Sequence, residues 1–120
     1  MIIIDSREIK IREELSKRET PYEYKFLDLG DIIINGYIIE RKTKADLAAS
    51  IKDSRFREQK ERLLQQTDYK VVYLFEESRS KNSLPDKTLT SAIMNLTIVH
   101  DFLVLYSNNI SETCDIIELF

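Results

Sequence analysis

Gly30-Asp31-Ile32-Ile33-Ile34-Asn35-Gly36-Tyr37-Ile38-Ile39-Glu40-Arg41-Lys42 is the stretch that decides the fold of this chain. Apolar runs flank Asn35-Gly36, and both turn residues tolerate the positive φ of a type I′ turn. The stretch therefore predicts a β-hairpin, with strands at 31–34 and 37–41. A two-residue turn sets 34 opposite 37, and so 31 opposite 40. Directly opposed residues share a face, with Cβ atoms about 4.5–5.5 Å apart. Lys42 follows Glu40 by two and falls on the same face. One face of the hairpin thus presents Asp31, Glu40 and Lys42 together.

Two carboxylates placed opposite each other repel unless a cation lies between them. Mg²⁺ typically takes one or two carboxylates and completes its shell with water and phosphate oxygens. Such a metal polarises a phosphodiester and lowers the pKa of a bound water. A lysine beside it can orient that water or neutralise the developing charge. The same three charges also fit an ordinary solvated hairpin. Against that, Ile38-Ile39-Glu40 is an apolar run ending in a carboxylate, not the alternation of a surface strand.

Outward from the hairpin, Ile2–Ile4 reads as a buried strand. A helix is expected over 8–18, ended by Thr20-Pro21, and a strand over 22–29 with Tyr22, Tyr24 and Phe26 on one face. Helices follow over 44–52 and 55–66, interrupted at Asp53-Ser54. KVVYLF at 70–75 is a buried strand, and 77–85 is a polar loop. Asp86 is the expected cap of a helix over 88–99. A strand at 102–106 and a helix from Ser111-Glu112 to Phe120 complete the chain. The order β-α-β-β-β-α-α-β-α-β-α implies an α/β fold: a mixed central β-sheet flanked by helices on both faces.

Composition narrows the chemistry. With 120 residues this is one domain. Apolar residues at 42% and charged ones at 32% describe a globular chain, not a disordered one. The single cysteine, Cys114, excludes an internal disulfide. With His100 as the only histidine, it also excludes cysteine-rich zinc sites and histidine triads. Both read as packing residues. Carboxylates, Lys and Arg remain for chemistry. No apolar run approaches ~18 residues, so no membrane span is expected. Asp5 and Arg7 follow the MIII start too closely for a signal peptide, so the expected setting is intracellular, nuclear in a eukaryote.

Charge is uneven along the chain. Residues 41–62 carry eight basic and four acidic side chains, a net of +4, which leaves −7 for the rest of a chain whose total is −3. Lys52, Arg55 and Arg62 in this segment suit phosphates, in a salt-sensitive and largely sequence-independent way. They equally suit a solvated helix with an i,i+4 pair such as Glu58–Arg62. Asp5-Ser6-Arg7-Glu8 ends the first strand, where an acidic residue either reaches a neighbouring site or caps the next helix.

Asp5-Ser6-Arg7-Glu8, Gly30-Asp31, Glu40-Arg41-Lys42 with Asp46, and the run from Ser50-Ile51 through Asp53 to Arg62-Leu63 together resemble the XPF-type structure-specific DNA endonucleases. Arg55-Phe56-Arg57-Glu58-Gln59-Lys60 and Ser83-Leu84-Pro85 are most similar to the Mus branch, which processes 3′ flaps, replication forks and crossover junctions. The resemblance spans nearly the whole chain. It implies a restriction-endonuclease-like core and Mg²⁺- or Mn²⁺-dependent hydrolysis of branched double-stranded DNA in repair and recombination. Asp31 and Glu40 are then the implied metal ligands, with Asp5 helping, and Lys42 the catalytic lysine. Arg7, Glu8, Arg41 and Asp46 match positions whose loss impairs cleavage, although Arg41 and Asp46 also suit an ordering ion pair. Arg55, Gln59 and Arg62, with Lys52, are the candidates for DNA contact or for support of the site's wall.

The family also implies a homodimer, or a heterodimer with a degenerate nuclease-like subunit. It implies tandem helix-hairpin-helix modules as well, and residues 1–120 hold no such module. The chain reads as a single nuclease domain, either excised or from a reduced member. Apolar surface on the helix over 88–99 and on the last helix suits a subunit interface. Two other readings stay open: a non-catalytic DNA-binding or scaffold subunit, and a hydrolase of another phosphodiester such as a small oligonucleotide. The retained Glu40-Arg41-Lys42 argues against a degenerate subunit.

Overall fold

A computed structural model describes residues 1–77 and 84–120. The hairpin forms as its sequence predicts. Asn35 and Gly36 both take positive φ, and β3 (Ile32–Ile34) pairs antiparallel with β4 (Tyr37–Thr43). The register is Ile32↔Ile39, Ile33↔Ile38 and Ile34↔Tyr37, which sets position 31 against 40. β1 (Ile2–Asp5) pairs antiparallel with β3 on the other side and parallel with β2 (Glu23–Lys25). β5 (Lys70–Glu76) and β6 (Leu103–Ser107) add in parallel to β4. The described strands make one mixed sheet in the order β2-β1-β3-β4-β5-β6.

Helices cover both faces. α1 (Ile9–Lys17) and α5 (Ile110–Leu119) bury Ile11, Leu15, Cys114 and Ile117 against Ile4, Ile32, Ile39 and Leu74. On the opposite face α2 (Lys44–Lys52), α3 (Arg55–Gln65) and α4 (Asp86–Ile98) bury Leu47, Phe56, Leu63, Leu89 and Leu96 against Ile38, Tyr73 and Phe75. Successive strand residues alternate between these two cores, the period-2 consequence of the pleat. Ser54 enters the left-handed region, and this breaks α2 from α3 where the sequence predicts an interruption.

Several local expectations are corrected. The strand expected over 22–29 shrinks to three residues. Leu27 turns away from the β1 edge to bury itself, and its N–H is taken by Asp5, so Phe26 is left exposed. Asp86 is the first residue of α4 rather than its cap, because Pro85 holds the cap position with its fixed φ. α5 starts at Ile110 rather than Ser111, and Asn109 caps it, with its side chain accepting from the Glu112 N–H. Asp5 and Ser6 cap nothing, because α1 starts after Glu8. Of the loop expected over 77–85, residues 78–83 lie outside the described residues, as does Ser83 of the Ser83-Leu84-Pro85 stretch. His100 lies 5.8 Å from the Phe102 ring, and Cys114 is buried with its thiol pKa pushed up to about 11 by burial, both as packing residues. No helix among the described residues is long and apolar enough to cross a membrane.

Candidate active site

A cleft of about 460 Å³ opens between the ends of β1, β3 and β4 and the start of α3. Its floor follows from the pleat. Ile38 packs into the α2–α3 core, so Glu40 and Lys42, two and four residues on, face the same side. Asp31 enters from the opposite strand, and Asp5 from the end of β1.

Gly30 makes this approach possible. Its φ is +76°, and a Cβ there would overlap Cγ1 and Cδ1 of Ile38. Only glycine accommodates both. The chain then turns so that the Asp31 N–H donates to the Ile39 carbonyl (2.8 Å) and the Asp31 carbonyl accepts from the Asp5 N–H (2.9 Å). The Asp31 carboxylate is fixed in turn by the Arg41 N–H, at 2.8 Å from Oδ2.

Glu40 is buried and accepts from Nε2 of Gln59 on α3 at 2.7 Å. Burial raises the pKa of both Asp31 and Glu40, and for Asp31 the facing Glu40 carboxylate raises it further. Lys42 opposes the rise in both, but makes no ion pair among the described residues. Two carboxylates are thus held in a poorly solvated place where neither ionises easily without a nearby cation.

Asp5 behaves differently. Burial alone would raise its pKa, but Oδ2 accepts from Nε of Arg7 at 2.7 Å and Oδ1 from the Leu27 N–H at 2.8 Å, and the net shift is downward. Its oxygens are already engaged. Among the described residues no group of three His, Cys, Asp or Glu side chains is arranged to hold a metal ion. The structure thus brings Asp31 and Glu40 together as a facing pair, while Asp5 beside them anchors Arg7 and the Leu27 N–H.

Arg7, Arg55, Gln59 and Arg62 line the cleft. Nη2 of Arg7 donates to the Leu27 carbonyl at 3.0 Å, and its guanidinium lies 5.0 Å from the Phe26 ring centre. Nε of Arg55 pairs with Asp53 at 2.7 Å. Nη2 of Arg62 donates to the Asp28 carbonyl at 3.0 Å, and its expected pair with Glu58 is not formed.

Four predicted site residues lie elsewhere. Arg41 projects to the α1–α5 side, where Nη2 meets Glu76 at 2.7 Å and Nη1 meets Glu8 at 2.9 Å. Glu76 also accepts from Thr113 of α5 at 2.6 Å. Burial and Asp31 outweigh Arg41 at Glu8, and its pKa rises to about 7. Asp46 does not pair with Arg41. It closes a capping box with Thr43 at the start of α2. Lys52 is exposed and outside the cleft. Glu8 and Arg41 thus brace β4, which carries Glu40 and Lys42, and Asp46 fixes the start of α2 that follows it.

Sequence reasoning missed Ser50 and Glu58, which also line the cleft, and Glu76. Glu58 was legible from helix spacing, since 55, 58, 59 and 62 share one face of α3. Glu76 depends on the β4–β5 register, which no local pattern encodes.

The chain was then compared with known proteins. Residues 4–120 match the family model described as the ERCC4 domain. Among curated relatives, the structure-specific endonuclease subunit MUS81 of Danio rerio is 46% identical over 79 residues, covering 63% of this chain and 13% of that protein. The human MUS81 subunit is 41% identical over 86 residues, covering 70% and 15%. The crossover junction endonuclease mus81 of Aspergillus fumigatus is 29% identical over 147 residues, covering 93% and 25%. The chain thus spans a quarter or less of each. Among solved structures, XPF from Aeropyrum pernix matches with a TM-score of 0.84 at 25% identity, covering 98% of this chain and 61% of that one. The same protein in complex with DNA matches equally. The fold is that of an XPF nuclease domain, a restriction-endonuclease-like core.

Proposed function

Since the chain belongs to the ERCC4-domain family, we propose that it hydrolyses phosphodiester bonds in branched DNA with a divalent cation, in repair and recombination. The observation that carries this reading is the facing pair Asp31 and Glu40, with Lys42, in an open cleft walled by Arg7, Arg55 and Arg62. The donor set fits Mg²⁺ or Mn²⁺: two hard carboxylates at one place, and cleft space for water and phosphate oxygens. A bound cation supplies charge for the phosphate and a more acidic water.

The chain's own residues do the rest. Asp31 and Glu40 hold the cation, and their fixed hydrogen bonds keep the pair open towards the cleft. Lys42, free of carboxylate partners among the described residues, meets the attacking water or a phosphate oxygen. Arg7, Arg55 and Arg62 meet phosphates on either side, which positions a backbone without reading its bases. The relative of the same fold solved in complex with DNA supports DNA as the ligand.

The partner surface is a separate part of this reading. Met94, Ile98 and Val99 of α4 and its end, and Leu103 and Tyr106 of edge strand β6, are exposed. Exposed apolar side chains at a sheet edge and its adjoining helix mark interfaces. It suits a second copy or a related nuclease-like subunit. The setting that follows is intracellular, and nuclear in a eukaryote.

The test is cleavage of labelled 3′-flap, fork and nicked-junction DNA in Mg²⁺, Mn²⁺ and EDTA. Metal-dependent nicking near the branch is expected. Metal-independent binding to all three with no product would replace the reading by that of a scaffold subunit. Cleavage confined to short single strands would replace it by an oligonucleotide hydrolase.

A further inference from the structure

Tyr73 is wholly buried, and its hydroxyl has no hydrogen-bond partner. Buried hydroxyls are normally paired, because leaving one unpaired forfeits its hydration without return. The ring is held in place by aromatic neighbours: Phe56 edge-on at 6.2 Å, and Phe75 and Phe102 stacked at 6.1 and 6.0 Å. It cannot swing away to solvent.

A second orphan lies nearby. Oε1 of Gln59 is buried without a partner, although Nε2 of the same amide donates to Glu40. Gln59 stands one helical turn from Phe56, the residue that packs on the Tyr73 ring. On the sheet, Tyr73 of β5 is the register partner of Glu40 on β4. Tyr73, Glu40 and Gln59 therefore meet beneath α3. One orphan carries a proton to donate, and the other is a carbonyl oxygen that only accepts.

We propose that Tyr73 and Gln59 are positioning residues that fix Glu40 for a divalent cation. The Tyr73 hydroxyl donates to Oε1 of Gln59 through one bound water, and the Gln59 amide donates to Glu40. The relay rests on the reading of Glu40 as a metal ligand. It gives both orphans a partner and makes the Glu40 orientation independent of solvent. A tyrosine hydroxyl, with an ordinary pKa of about 10, is a donor at neutral pH.

The test uses the full chain and Mn²⁺ titration by calorimetry, with thermal melts of metal-free protein beside it. Tyr73→Phe removes only the hydroxyl and keeps the packed ring. The expected result is a Mn²⁺ affinity about 10-fold lower or more, as for other groups that orient a ligand. The metal-free melting temperature is expected to fall slightly, because Gln59 loses one neutral hydrogen bond while the packed ring stays. Gln59→Leu is expected to give a similar loss, and the double variant no more than the larger single one. Parent-like Mn²⁺ affinity in Tyr73→Phe overturns this inference alone. A lower metal-free melting temperature with unchanged affinity shows an ordinary structural hydroxyl, and also overturns it. Absence of Mn²⁺ binding by the parent overturns the metal reading and the relay together.

Discussion

Arg41 and Lys42 are adjacent on β4 and face opposite sides of the sheet. Lys42 looks into the cleft with Glu40, whereas Arg41 binds Glu8 and Glu76 against α1 and α5. One basic residue is available for chemistry and its neighbour is fixed in a mostly buried ion network. The two substitutions should therefore fail in different ways. Arg41→Ala leaves Glu76 and Glu8 without their cation, and breaking a buried pair costs about 3–5 kcal/mol. Urea denaturation should show that loss. Lys42→Ala should leave the denaturation midpoint within experimental scatter and lower cleavage by about 10²-fold or more. Equal stability losses in the two variants would contradict this division.

Gly30 and Gly36 separate space from backbone strain. Both have positive φ, but a Cβ at Gly30 meets Ile38 while one at Gly36 meets nothing within 4 Å. Gly36→Ala should cost only the left-handed penalty, about 1–2 kcal/mol, with cleavage intact. Gly30→Ala adds an overlap of about 1–3 kcal/mol and displaces Asp31. Cleavage should fall with it. Full activity in Gly30→Ala would show that the Asp31 position does not depend on this approach.

The carboxylates set a pH dependence. Asp31, Glu40 and Glu8 all have folded pKa values above their unfolded ones, by burial and mutual repulsion, and Glu8 reaches about 7. The folded state therefore binds more protons, and stability falls as pH rises from the unfolded range near 4.5 through the folded values. Metal-free protein should melt lower at about pH 8 than at about pH 5. Asp31→Asn should flatten that fall. Mn²⁺ favours the ionised pair and should raise the melting temperature most at the alkaline end. A metal-free melting temperature that climbs across this interval would refute the assignment of the shifts.

Much of this was legible in the chain. The turn at Asn35-Gly36 fixed the hairpin register, and that register set Asp31 against Glu40. All eleven elements appear in the expected order. The failures have physical causes. The strand over 22–29 alternates correctly, but burial of Leu27 and its bond to Asp5 override the pattern. The pleat that places Lys42 beside Glu40 also sends Arg41 to the other face, where the resemblance alone suggests a site residue. The partners of Arg41 and the place of Tyr73 depend on β5 lying beside β4. That pairing joins residues about thirty positions apart, and no local spacing reveals it.

The apolar surface at the sheet edge predicts association. Ile98→Lys with Leu103→Lys should convert a dimer into a monomer at micromolar concentration, read by light scattering. Both side chains are exposed in the single chain, so its fold should survive, as a melting temperature within a few degrees of the parent would show. A parent already monomeric at that concentration would remove this face as a self-interface and leave it to a different subunit.

The most direct test of the central claim is cleavage of a labelled 3′-flap duplex in Mn²⁺ by the parent and by Asp31→Asn, with both shown to be folded. The account predicts nicking near the branch by the parent, and loss by about 10³-fold or more in the variant. Parent-like nicking by Asp31→Asn would contradict it, because the facing carboxylate pair would then not be where the chemistry occurs.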